Sequence, residues 1–140
     1  MKTFYTIVIL TLAAGFGCSE SNSRQQNEVG EPLAEQQTTV LKDIDTKTLK
    51  TMLADQENLQ VLDVRTPGEV EAGTIGDPVV INFQDSDFRS QLSKLDKDKP
   101  VVVYCAAGGR SAKAADLMHE AGFKEVYNYT EGYRGWAAAQ

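Results

Sequence analysis

The chain has 140 residues, 41% hydrophobic and 24% charged, with twenty acidic against fourteen basic side chains and a net charge of −6. That is one domain's worth of ordinary globular composition; it argues against a multi-domain enzyme, a wholly disordered chain, a collagen-like repeat and a multi-span membrane protein. The acidity is a poor match for nucleic acid, and two cysteines with one histidine cannot furnish a four-ligand structural zinc site or a disulfide-dense scaffold.

At the amino end, Lys2 is followed by an apolar run through Leu12 and by small residues up to Cys18. This is the order of a secretory signal peptide over residues 1–17, and the run is short for a membrane span. The segment resembles a bacterial lipoprotein signal, which implies lipidation of Cys18 and an exported, membrane-anchored protein of the cell envelope, facing the periplasm or the cell exterior. Gly15-Phe16-Gly17 also reads as an ordinary small-x-small cleavage site, which would leave Cys18 as a terminal thiol. Residues 18–38, with four glutamates, one arginine and few apolar side chains, read as a flexible polar tether. Residues 39–140 then hold the domain, with twelve basic and sixteen acidic residues for a net charge of −4.

Within the domain, short aliphatic runs alternate with helical periodicity, the pattern of an α/β fold with a largely parallel sheet. Asp45-Thr46 can cap a helix with Leu49, Met52 and Leu53 on one face. A strand over Leu59–Val64 is stopped by Thr66-Pro67-Gly68, and Glu69–Gly73 makes a turn or a short helix. Val79–Phe83 reads as a second strand; Ser86 or Asp87 starts a helix turning Phe88, Leu92 and Leu95 inward. Val101–Tyr104 is the clearest strand, β-branched and aromatic as a buried central strand should be. It runs into Cys105-Ala106-Ala107-Gly108-Gly109-Arg110, then a helix over Ser111–Met118 that stops by Gly122. A last strand over Glu125–Tyr129 and a terminal turn bearing Trp136 complete the order.

The cysteine loop carries the chemistry. Small residues let the backbone curve tightly, and the first N–H groups of the following helix have no intrahelical partners, so several donors can converge on one anion. The Cys105 thiolate is such an anion; the helix terminus and Arg110 should lower its pKa below the free value of about 8.5. A thiolate attacks where a thiol hardly does, and the same donors can hold the anion of a substrate or persulfide without a histidine base. His119, the only histidine, reads as solvent-facing, and Tyr127, Tyr129, Tyr133 and Trp136 read as packing.

Three motifs in this order, L-D-V-R-T-P-G-E-V, V-V-V-Y-C-A-A-G-G-R-S-A-K-A-A and E-G-Y-R-G-W, resemble a single-domain rhodanese across about residues 40–140. The resemblance departs at Gly73-Thr74-Ile75, where that family commonly has Gly-His-Ile. It implies a rhodanese-like three-layer domain, a central sheet flanked by helices, and a sulfurtransferase that carries sulfur as a persulfide on Cys105. By the same resemblance Arg110 closes the loop and assists anion binding. Backbone N–H groups of Ala106, Ala107, Gly108, Gly109 and Arg110 hold the outer sulfur, and Asp63 and Arg65 support the site as an ion pair. A solvated surface pair is the alternative for those two. The implied substrates are thiosulfate or polysulfide as donor and cyanide, a small thiol or a partner protein's cysteine as acceptor, with no metal or organic cofactor. Two other readings remain: a cysteine phosphatase or arsenate reductase, disfavoured because four rather than five residues separate Cys105 from Arg110, and a non-enzymatic envelope module that binds sulfur or a partner.

Overall fold

The computed structural model describes residues 38–140. The expectations for the signal segment, for Cys18 and for the tether fall outside the described residues, apart from Thr38. Five strands, β1 (Val40–Ile44), β2 (Gln60–Asp63), β3 (Val79–Val80), β4 (Val101–Tyr104) and β5 (Glu125–Tyr129), form one sheet in the order β1-β5-β4-β2-β3. Every pairing is parallel. Parallel neighbours need crossovers, and the helices α1 (Thr46–Asp55), α2 (Pro67–Val70), α3 (Phe88–Leu92), α4 (Gly109–Glu120) and α5 (Gly132–Ala138) occupy the connections and the carboxyl end.

The period-two alternation of β4 explains the layers. Val101 and Val103 point into one core with Phe88 and Leu92 of α3 and Ala114, Ala115 and Met118 of α4; Val102 and Tyr104 point into the other, with Leu49 and Met52 of α1 and with Tyr129. All four β4 side chains are buried, each valine contributing roughly 1.5–3 kcal/mol on area bookkeeping. Because β4 is the middle strand, its carboxyl end opens at the centre of the sheet, beside the ends of β2 and β5. Crevices outside the carboxyl ends of parallel strands are where such folds bind ligands.

Several expectations are redrawn. β1 was not anticipated: Leu41, Lys42 and Asp43 are all exposed, so the strand lacks an alternating signature, and it is held by a five-residue register with β5. The strand anticipated over Val79–Phe83 pairs only at Val79–Val80. α4 starts at Gly109 rather than Ser111, so the helix begins inside the cysteine loop. His119 is half-buried rather than solvent-facing, with Nδ1 enclosed and unpartnered.

Candidate active site

Cys105 follows β4 directly and is buried. The turn from strand to helix is completed by Gly108, whose φ of +86° is left-handed; a Cβ there would also collide with the Thr130 carbonyl. Only glycine meets both demands. The turn leads from the strand end that carries the sulfur directly into the first turn of α4. Burial alone pushes the Cys105 thiol up, but it is outweighed by the Ser111 N–H, the Ala107 N–H, the Ser111 hydroxyl and the Arg110 N–H, which hold the thiol below its ordinary range. The single proton of the Ser111 hydroxyl is donated to the Gly108 carbonyl at 3.0 Å, and turns to the sulfur only by leaving that oxygen. Ser111 was not among the sequence candidates; its signal was its place in the first turn of the helix after the cysteine.

The loop is buttressed from behind. At the start of α5 the Tyr133 N–H donates to the Cys105 carbonyl at 2.7 Å and the Arg134 N–H to the Ala106 carbonyl at 3.1 Å. Gly132, with φ +61°, permits that approach: a Cβ there would lie 2.6 Å from the Cys105 carbonyl oxygen. The terminal E-G-Y-R-G-W motif therefore fixes the peptide that carries the cysteine, a role the sequence reading did not assign.

Beside the loop, Asp63 and Arg65 are both buried and paired, which removes the surface-pair alternative. Arg65 Nε donates to Asp63 Oδ1 and Oδ2 at 2.9 and 3.0 Å, and Nη2 to Oδ2 at 2.6 Å. Nη1 donates to the Glu69 carbonyl at 2.9 Å and Nη2 to the Gly73 carbonyl at 2.7 Å. The guanidinium lies 4.1 Å from the Tyr133 ring centroid and 5.5 Å from that of Tyr104. Tyr104 in turn accepts from the Ile75 N–H at 3.0 Å, so the departing Gly73-Thr74-Ile75 segment is tied into the same cluster. The Asp63–Arg65 pair thus packs against Tyr133, whose N–H donates to the Cys105 carbonyl.

Arg110 faces a residue that sequence reasoning missed. Its Nη1 and Nη2 donate to the two carboxylate oxygens of Glu69 at 2.8 and 2.6 Å. Glu69 Oε2 also accepts from the Thr66 N–H at 3.0 Å and the Thr66 hydroxyl at 2.8 Å. Chiefly through Arg110, the Glu69 carboxyl is pulled down to about 2. Glu69 foremost, and the Cys105 sulfur to a lesser degree, stabilise the Arg110 charge. The signal was Thr66-Pro67-Gly68-Glu69, a capping-box spacing. The pair staples the start of α4 to α2 and leaves Arg110 largely neutralised. Next to it, Arg65, Glu69, Ala72, Ala106, Tyr133 and Arg134 line a cavity of about 210 Å³.

The described domain is similar to known proteins. Residues 45–139 fit the family model described as a rhodanese-like domain. The chain belongs to the rhodanese-like family. It is 34% identical over 98 residues to a sulfurtransferase of Allochromatium vinosum, covering 70% of this chain and 90% of that protein. A thiosulfate sulfurtransferase, GlpE, of Pseudoalteromonas translucida is 32% identical over 88 residues, covering 62% and 81%. Among solved structures, a rhodanese-related protein of Thermoplasma volcanium superposes with a TM-score of 0.62 at 30% identity, covering 70% of this chain and 92% of that one. The rhodanese-like fold, a parallel sheet between helical layers, is as the motifs implied.

Proposed function

We propose that this rhodanese-like protein is a sulfurtransferase in which Cys105 takes sulfane sulfur from a donor such as thiosulfate or a polysulfide and passes it to a thiophilic acceptor. The observation that carries this reading is a buried cysteine set between the carboxyl end of β4 and the first turn of α4 by the left-handed turn at Gly108, with its thiol drawn down, against burial, by the Ser111, Ala107 and Arg110 N–H groups. With thiosulfate, the Cys105 thiolate attacks the outer sulfur, the donor's S–S bond breaks, and sulfite leaves with the bonding pair. The new persulfide anion, Cys105–S–S⁻, sits where the loop's N–H groups, from Ala106 to Arg110, can hold its charge. A cyanide carbon or a thiolate then attacks the outer sulfur, and Cys105 returns as thiolate. Neither half needs a proton moved by a side chain, in keeping with a loop of backbone donors and no histidine.

The roles of Arg110, Asp63 and Arg65 are to keep this cradle in place. Fixed dipoles serve here better than free cations, because they need no reorganisation when charge moves from the inner to the outer sulfur. The test is sulfur transfer to cyanide by the wild type and Cys105→Ser: the wild type forms thiocyanate and the variant does not. Equal turnover by the two would refute the assignment, while a wild type that binds sulfur without releasing it would be a carrier and not a transferase.

The same proposal extends to location: the domain works at the cell envelope, tethered through lipidated Cys18. The order of Lys2, apolar run and cysteine supports it. More than one acyl chain is needed for stable anchoring. Incorporation of radioactive fatty acid in the wild type and its loss in Cys18→Ser are the expected results; an unlabelled wild type contradicts them.

A further inference from the structure

We infer that Arg134 selects the donor, holding the carboxylate of a small organic persulfide in the cavity beside the cysteine loop; this rests on the sulfur-transfer reading above. Three guanidinium groups surround the loop and the cavity. Arg65 is bound to Asp63 and to two backbone carbonyls, and it is buried. Arg110 is held by both oxygens of Glu69. Arg134 is different: its backbone N–H is fixed on the Ala106 carbonyl at 3.1 Å, one residue from Cys105, while its side chain is exposed and has no hydrogen bond or ion pair among the described residues. It lines the cavity with Ala72, Ala106 and the Tyr133 ring.

The composition of that cavity speaks to the donor. Ala72, Ala106 and Tyr133 give the lining an apolar part that suits a short carbon chain, and about 210 Å³ accommodates more than a bare inorganic anion. The one unpartnered charge is positive and sits at the exposed rim. An organic persulfide with a carboxylate satisfies both features, its sulfur end toward Cys105 and its anionic end on Arg134. Glu69, the acidic side chain in the lining, is neutralised by Arg110 and does not repel it. The step balances: Cys105–S⁻ attacks the outer sulfur of R–S–S–H, the donor's S–S bond breaks, and R–S⁻ leaves with the pair. The proton remains on the transferred sulfur until Cys105–S–SH ionises to solvent.

The experiment compares loading of Cys105, followed by intact mass against time, with the persulfides of mercaptoacetate and of mercaptoacetamide, equal in size and different in charge. In Arg134→Gln, loading at limiting donor falls about tenfold for the carboxylate donor, the scale of a lost charge-assisted contact, and stays within about twofold for the amide. Arg134→Lys restores most of the loss, and the wild type's salt dependence with the carboxylate donor vanishes in Arg134→Gln. Equal losses with both donors mean that Arg134 acts only on loop structure, and no loss with either means that it does not meet the donor; each overturns the inference while sulfur transfer stands. A wild type that gains no sulfur from either persulfide or from thiosulfate overturns the sulfur-transfer reading itself, and the Arg134 assignment with it.

Discussion

Two regions brought together at the carboxyl ends of the paired strands β2 and β4 solve the problem of buried charge in opposite ways. In the 63–73 segment a full positive and a full negative side chain are buried together, with Arg65 also donating to the Glu69 and Gly73 carbonyls. In the 105–110 loop the charge is one sulfur, and the compensation is backbone N–H groups with side chains cut down to methyl or hydrogen. A paired side-chain charge is rigid and suits a support that never changes state. A cradle of amide dipoles tolerates an anion that lengthens by one sulfur atom and shortens again, which is what a persulfide cycle demands.

That contrast predicts where damage shows. The largest effect belongs to the sulfur: Cys105→Ser loses transfer by at least about a thousandfold, measured as thiocyanate formed, while thermal unfolding moves by no more than about 1 kcal/mol. Next is the pair. Arg65→Ala leaves Asp63 buried and uncompensated, and stability measured by denaturant unfolding falls by about 3–5 kcal/mol; retention of wild-type stability would mean that water reaches Asp63 freely.

Gly132→Ala comes third, with a loss of roughly 1–3 kcal/mol because the new methyl must push the cysteine peptide away. The same variant sharpens the difference in electrostatics. Alkylation of wild-type Cys105 should rise through a midpoint below the free-thiol value of about 8.5, and displacing the loop should raise that midpoint; an unmoved midpoint would separate the buttress from the cradle.

The smallest effect is at Glu69. Its folded carboxyl is depressed to about 2, so the Glu69–Arg110 pair adds stability that is fully present above the unfolded carboxylate pKa of about 4.3 and is lost as pH falls from there toward 2. Glu69 is 36% exposed, so screening keeps the loss below about 1 kcal/mol. Unfolding midpoints of the wild type and Glu69→Gln should differ at pH 6 and converge near pH 2.

Much of the fold was legible because burial leaves periodic marks. Val101–Tyr104, Leu49 with Met52, and Phe88 with Leu92 stand out as strand or helix faces because each turns toward one of the two cores. β1 left no such mark, since Leu41, Lys42 and Asp43 face solvent, only Ile44 is fully buried, and the strand relies on its pairing with β5. Val79 and Val80 misled in the other direction: they look like a buried strand yet are exposed at the sheet edge. At the site, Cys105 and its loop announced themselves through local spacing. Glu69 and Tyr133 did not, because what matters is contact with residues 41 and 28 positions away, and no local pattern encodes such partners.

The central claim is that Cys105 carries sulfur in a cradle of backbone donors. Its most direct test is the intact mass of the full chain after brief exposure to thiosulfate or a polysulfide. The wild type should gain one sulfur atom, mapped to Cys105 and removed by cyanide, and Cys105→Ser should gain none. A wild type of unchanged mass, or a gain that survives in Cys105→Ser, would contradict the account.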